Sequence, residues 1–201
     1  TPTNYDDGTN VGGNYATLNP LAKYDSNLSN GNLQLTPTSG NYRVWGTFGM
    51  SSGKWYWEAT PTSGSYSNGV GISRSTDWGN AAARYVYADY DGNVGGSVKW
   101  NNNSPVGYGV NFSTNDVIGV AFDADNGSLS FYVNGVSQGT AFSSMPTGNY
   151  LPVISAYSGY VANYQVNFGQ RPFAYTPPTG FLSLCTTNLP DPTIADGSTA
   201  F

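Results

Sequence analysis

Asp116 to Gly135 reads DVIGVAFDADNGSLSFYVNG, with apolar residues at alternate positions on both sides of Asn126-Gly127. Alternation with a period of two is the mark of a strand that buries one face. Asn-Gly tolerates positive φ at both central positions of a type I′ turn. A two-residue turn there pairs Ala124 with Leu129, Phe122 with Phe131 and Val120 with Val133, with Ile118 on the same face. A slip of one residue would send this set to the opposite face, so the pattern predicts register as well as strands. A second Asn-Gly, Asn134-Gly135, turns the chain into Val136–Phe142 and completes a three-stranded antiparallel meander.

The same reading extends along the chain. Residues 1–20 are polar and turn-rich and predict an N-terminal arm or loop. Strands are predicted over Leu28–Leu35, Arg43–Met50, Lys54–Thr60, Gly69–Ser73, Tyr85–Tyr90 and Val94–Trp100, then over Tyr150–Tyr157 and Tyr164–Gly169. In Lys54–Thr60, Trp55, Trp57 and Ala59 share one face while Tyr56 and Glu58 take the other. Residues 74–84 and 101–111 lack a period and predict loops. Arg171–Phe181 carries three prolines and reads as a rigid covering segment. From Thr186 onward the sequence is polar and Pro-rich, a linker over 186–201. Short strands with turn signals every 8–12 residues or so, and no amphipathic helix, predict an all-β fold. The expected architecture is a two-sheet antiparallel β-sandwich spanning 21–185, with little or no helix.

Composition narrows the function. The chain has 201 residues, of which charged residues are 9% and aromatic residues 15%, with 26 Gly and 16 Tyr. That length suits one domain with a core of its own. Net charge is −5 and the seven basic residues form no run, so a nucleic-acid footprint is not expected. No apolar stretch approaches the roughly 18 residues that span a bilayer, so no membrane insertion is expected. The sequence starts at Thr1, which suggests an upstream piece removed or not seen. Cys185 is the one cysteine, excludes an internal disulfide, and reads as a small buried hydrophobe.

Several motifs occur in a recognisable order: Gly53-Lys54-Trp55-Tyr56-Trp57-Glu58, Val70-Gly71-Ile72-Ser73, Asp116-Val117-Ile118-Gly119 and Asp125-Asn126-Gly127 with Phe131. Asn134-Gly135, Leu151-Pro152-Val153 and Asn167-Phe168-Gly169 follow. Together, over roughly residues 28–185, they resemble the SPRY domain, a concanavalin-like jelly-roll β-sandwich. The closing run NFGQRPFAYTPPTGFLSLCTTNLPDPTI is similar to SPRY modules in tail-fibre and other virion proteins of tailed bacteriophages. The resemblance implies non-covalent recognition by rim loops rather than catalysis. It implies virion proteins or a host-surface receptor, protein or glycan, as partners, and a virion location, with homo-oligomerisation open. An intracellular SPRY adaptor binding a short peptide and a carbohydrate-binding module are the alternatives.

The chemistry of the residues agrees with a non-enzyme. There is no His, which removes Ser-His-Asp and Cys-His catalysis and His-ligated zinc. The single Glu, Glu58, lies in a predicted strand and reads as a buried, hydrogen-bonded carboxylate rather than one of a glycosidase pair. Asp123 to Gly127 imitates the start of a calcium loop, but a turn accounts for the same residues. No metal or cofactor is expected. The candidate ligand-binding residues are the loop aromatics Tyr66, Trp78, Tyr108 and Tyr160, since rings among Asn, Ser and Gly make adaptable contact surfaces.

Overall fold

The structure, a computed structural model, describes residues 13–64, 68–74, 76, 81–91, 95–156 and 161–189. In chain order the first strands are β1 (Leu18–Tyr24), β2 (Ser26–Ser29), β3 (Gln34–Pro37), β4 (Arg43–Gly46), β5 (Lys54–Gly64) and β6 (Asn68–Ser73). Then come β7 (Arg84–Asp91), β8 (Gly96–Asn101), β9 (Ser104–Gly107), β10 (Ile118–Asp123) and β11 (Ser128–Val133). The last are β12 (Val136–Phe142), β13 (Leu151–Ala156), β14 (Ala162–Asn167) and the short β15 (Leu182–Ser183). One sheet runs β1-β4-β13-β6-β7-β8-β9 and the other β12-β11-β10-β5-β14-β3-β2, with β15 beside β5. Helix among the described residues is limited to two short 3-10 turns. The expected two-sheet antiparallel sandwich is the fold observed.

The meander keeps the expected faces but not the expected pairs. Phe122 lies opposite Leu129, Val120 opposite Phe131 and Ile118 opposite Val133. The shift is two residues, so every core side chain still points inward. Its cause is the Asp123 carboxylate, which accepts the Asn126 backbone N–H at 3.0 Å and its Nδ2 at 2.8 Å. These bonds hold a four-residue loop over 124–127, in which Gly127 has positive φ and Asn126 does not. The type I′ turn appears one hairpin later. Asn134 and Gly135 have φ of 49° and 78°, and Val133 pairs directly with Val136.

Other boundaries move for identifiable reasons. The strand expected over 28–35 is a hairpin, β2 and β3, folded at Asn30-Gly31. The loop expected over 101–111 contains β9, whose Pro105 hides a strand because proline fits only a sheet edge. Of the N-terminal arm or loop expected over 1–20, residues 1–12 lie outside the described residues, 14–16 pair with 184–186, and β1 starts at Leu18.

Between the sheets, Trp55, Trp57, Phe122, Phe131, Tyr87, Val70 and Ile154 belong to one buried cluster. Each such side chain contributes about 1.5–3 kcal/mol by leaving water. Rings tie the two sheets together: Tyr87 meets Phe131 at 5.3 Å, and Tyr150 meets Phe122 at 4.8 Å and Tyr85 at 5.9 Å. The covering segment lies on the outer face of the larger sheet. Phe173 stands edge-on to Tyr56 at 5.0 Å, and Glu58 accepts the Ala174 and Tyr175 N–H groups at 2.9 and 3.1 Å. Asn167 Nδ2 donates to Pro172 O at 3.0 Å.

Candidate functional site

Because the strands alternate up and down, the connections sort by rim. Those after β1, β3, β5, β7, β9, β11 and β13 lie at one rim, and those after the even-numbered strands at the other. The second rim also gathers the segments that enter and leave the sandwich. Ala16 N–H donates to Leu184 O at 2.8 Å and Thr186 N–H to Asn14 O at 3.0 Å. Asn14 N–H donates to Thr186 Oγ1 at 3.0 Å. We call this the clasped rim and the opposite one the open rim.

The open rim presents small apolar groups among short polar ones. Val110, Val136 and Val161 are exposed, and the exposed Tyr24 ring carries the Arg43 guanidinium at 4.2 Å. Ser39 Oγ donates to Asp25 at 2.6 Å. Asp116 accepts Ser113 N–H and Asn134 Nδ2, each at 2.7 Å, while Asn134 Oδ1 accepts Val117 N–H at 2.9 Å. Burial pushes the Asp116 carboxyl up, but the bonds from Asn134 and Ser113 outweigh it and hold it below the ordinary carboxylate range. The rim is thus braced by its own hydrogen bonds, a surface suited to non-covalent contact.

Beneath the open rim, Tyr42, Tyr164 and Asp89 are buried close together. The Tyr42 hydroxyl donates to Ala162 O at 3.2 Å, and the Tyr164 hydroxyl has no partner. Burial pushes both phenols well up, so they stay neutral. Among the described residues no three His, Cys, Asp or Glu side chains gather as a metal site. Asp123 and Asp125 are occupied instead: Asp123 meets Lys54 Nζ at 3.3 Å and Asp125 accepts Gly53 N–H at 2.8 Å. Burial again works against the Asp123 charge, and the bonds from Asn126 and Lys54 still hold its carboxyl low.

The four aromatic candidates do not form one surface. Tyr66, Trp78 and Tyr160 lie outside the described residues. The strand ends that bracket Tyr66 and Tyr160 are paired at the open rim, Gly64 with Ala162 and Asn68 with Ala156. Those that bracket Trp78, Ser73 and Arg84, are paired at the clasped rim. Tyr108 is described, and it turns inward. Its ring meets Tyr87 at 5.2 Å and Phe131 at 6.1 Å, and its hydroxyl donates to Gly139 O at 2.6 Å. Burial lifts its phenol to about 12. With Lys99, whose ammonium donates to Ala141 O, Tyr108 braces the edge strand β12 against the other sheet. The Tyr24–Arg43 stack, Asp25 and Val136 escaped a search confined to loop aromatics.

The outer face of the smaller sheet is the other apolar surface. Alternation puts Trp45, Val153, Gly71, Val86 and Trp100 in one row across β4, β13, β6, β7 and β8. Stacking on sugars needs open ring faces, and Trp45 is 3% exposed. Only Trp100 in this row keeps a half-buried ring.

Comparison with known proteins fits this geometry. A sequence model of the SPRY domain matches residues 54–171, more than half of the chain. The chain belongs to the SPRY family. The Arabidopsis thaliana protein named E3 ubiquitin-protein ligase RKP is 39% identical over 90 residues. That match takes in 43% of this chain and 7% of the plant protein's length. The SPRY domain of human HERC1 superposes with a TM-score of 0.64 at 20% identity, covering 77% of this chain and 99% of that one. The TRIM65 PSpry domain superposes with a TM-score of 0.59 at 19% identity, covering 77% and 92%. The SPRY match stops at Arg171, so most of the covering segment, β15 and the clasp lie beyond it.

Proposed function

We propose that this SPRY domain is a non-catalytic protein-binding module that captures a short peptide or loop of a partner at the open rim. One observation carries the reading. The described chain enters and leaves the sandwich at the clasped rim, and of the described flanking residues the covering segment touches the open rim at one turn, where Tyr175 packs on Gly135. The exposed valines and the Tyr24–Arg43 stack offer apolar and planar contacts, and the fixed Asn, Asp and Ser groups offer hydrogen bonds. An adaptor role, holding a partner within a larger assembly, has more support than virion attachment, because the named relatives above include a ubiquitin ligase. Panning the purified protein against a random-peptide library tests it. Recovery of a consensus with micromolar or tighter affinity supports peptide capture, and enrichment of glycans with no peptide consensus would support the carbohydrate reading instead.

A second reading keeps one specific support. The segment from Asn167 onward is similar to virion modules of tailed phages, and most of it lies outside the SPRY match. On that reading the same rim would bind a host-surface receptor or a neighbouring virion protein. Mass spectrometry of purified particles separates the two: absence of the protein from particles removes the virion reading and leaves rim binding intact.

A further inference from the structure

Three described Asn-Gly pairs share one chemistry and sit in three different environments. In each, the glycine backbone nitrogen can attack the asparagine Cγ once the side chain swings onto it. The new N–Cγ bond forms as the Cγ–Nδ2 bond breaks, and the glycine amide proton leaves with Nδ2 as ammonia. Water then opens the cyclic imide at either carbonyl, leaving aspartate or isoaspartate. The reaction needs a side chain free to swing onto the next nitrogen and a backbone free to turn.

Asn134 has neither freedom. Both side-chain atoms are bound, Oδ1 by Val117 N–H and Nδ2 by Asp116, and Gly135 lies under the Tyr175 ring. Asn126 is held by Asp123 through its backbone N–H and its Nδ2. Gly127 is buried against Met145, whose N–H donates to Gly127 O at 2.9 Å. Asn30 differs. It is exposed, its amide donates only to Gln34 Oε1, and nothing lies within 4 Å of where a Gly31 side chain would begin. The fourth pair, Asn68-Gly69, has an asparagine side chain outside the described residues.

We propose that Asn30 is a spontaneous deamidation site of the folded domain, and that the fold protects Asn126 and Asn134. The product has a consequence at the clasped rim. Asn32 O, in the same turn, accepts the Leu18 N–H at 2.9 Å, so an isoaspartate, with an extra backbone carbon, pulls on the start of β1. The added negative charge falls beside β2, far from the open rim.

The test is peptide mapping by mass spectrometry during incubation of the folded protein at mildly alkaline pH, reading amide-to-acid conversion at each site. Asn30 is expected to convert about tenfold faster than Asn126 and Asn134, the factor that about 1.4 kcal/mol of extra hydrogen bonding in those two turns supplies. In denaturant the three rates are expected to converge. Asp116→Ala, which frees the Asn134 amide, should speed Asn134 and leave Asn30 unchanged. Equal or faster conversion of Asn126 or Asn134 in the folded protein would overturn the proposal. So would an Asn30 that stays intact when folded yet converts once unfolded.

Discussion

The two rims of the sandwich are built from the same strands and differ in what the rest of the chain does to them. At the clasped rim the segments around Tyr15 and Cys185 pair, and Gly13 and Gly169 pack so closely on their neighbours that a side chain there would collide. The covering segment leaves this rim, reaches Gly135 through Tyr175, and returns to β15. At the open rim the described loops are braced mainly by hydrogen bonds among themselves, such as Asp116–Asn134 and Asp25–Ser39. On the proposed function this is a division of labour: one rim carries stability and the other recognition.

The largest way to probe that division is Glu58→Ala. Glu58 is buried and accepts from Ala174, Tyr175 and the Tyr56 hydroxyl. Each buried donor left without an acceptor costs about 1–3 kcal/mol. Denaturant unfolding should show a large loss of stability, while the folded fraction keeps its affinity for a selected peptide. Loss of affinity in the folded fraction would tie the covering segment to recognition.

Next in size is the reverse dissociation. Tyr66→Ala and Tyr160→Ala, in segments whose strand ends meet at the open rim, should each weaken peptide binding by about 2 kcal/mol, roughly 30-fold. Trp78→Ala, between strand ends at the clasped rim, should leave affinity within about twofold. Titration calorimetry on the three variants reads this directly, and the opposite ranking would exchange the roles of the rims.

Asp123→Asn is expected to cost about 1 kcal/mol, because Lys54 is partly exposed and its ion pair adds little. The pH dependence has a definite sign. A carboxyl held below its ordinary value of about 3.9 gives its full stabilisation above that pH and loses it as pH falls through the lower folded value. Unfolding midpoints of the wild type should therefore drop more steeply below about pH 4 than those of Asp123→Asn. The smallest effect belongs to Thr186→Ala, which removes one exposed bond of the clasp and should cost about 0.5 kcal/mol with no change in binding.

Much of this molecule is legible in the alternation of its residues, and the exceptions have local causes. Period-two patterning located the faces of β5, β10 and β11 because it reports burial, which depends on parity alone. It missed the two-residue shift of the first hairpin because that shift preserves parity. The shift depends on Asp123 reaching Asn126, a side-chain choice that Asn-Gly does not reveal. β9 escaped notice because Pro105 reads as a breaker unless the strand is known to be an edge. The covering segment was visible in its prolines, and the role of Glu58 in its position opposite Trp57. Tyr108 shows why the site was harder. Position in a loop says nothing of which way a ring turns, and this ring found Tyr87 and a carbonyl on β12. The rims themselves follow from pairing order between distant strands, which no local pattern carries.

The central claim is that partners are engaged at the open rim. Amide hydrogen exchange of the protein with and without its tightest selected peptide measures this most directly. Protection is expected at residues 38–42, 61–64, 110–117, 134–136 and 161–163, with residues 47–53, 124–127 and 143–149 unchanged. Protection concentrated on the second group, with the first unaffected, would contradict the account.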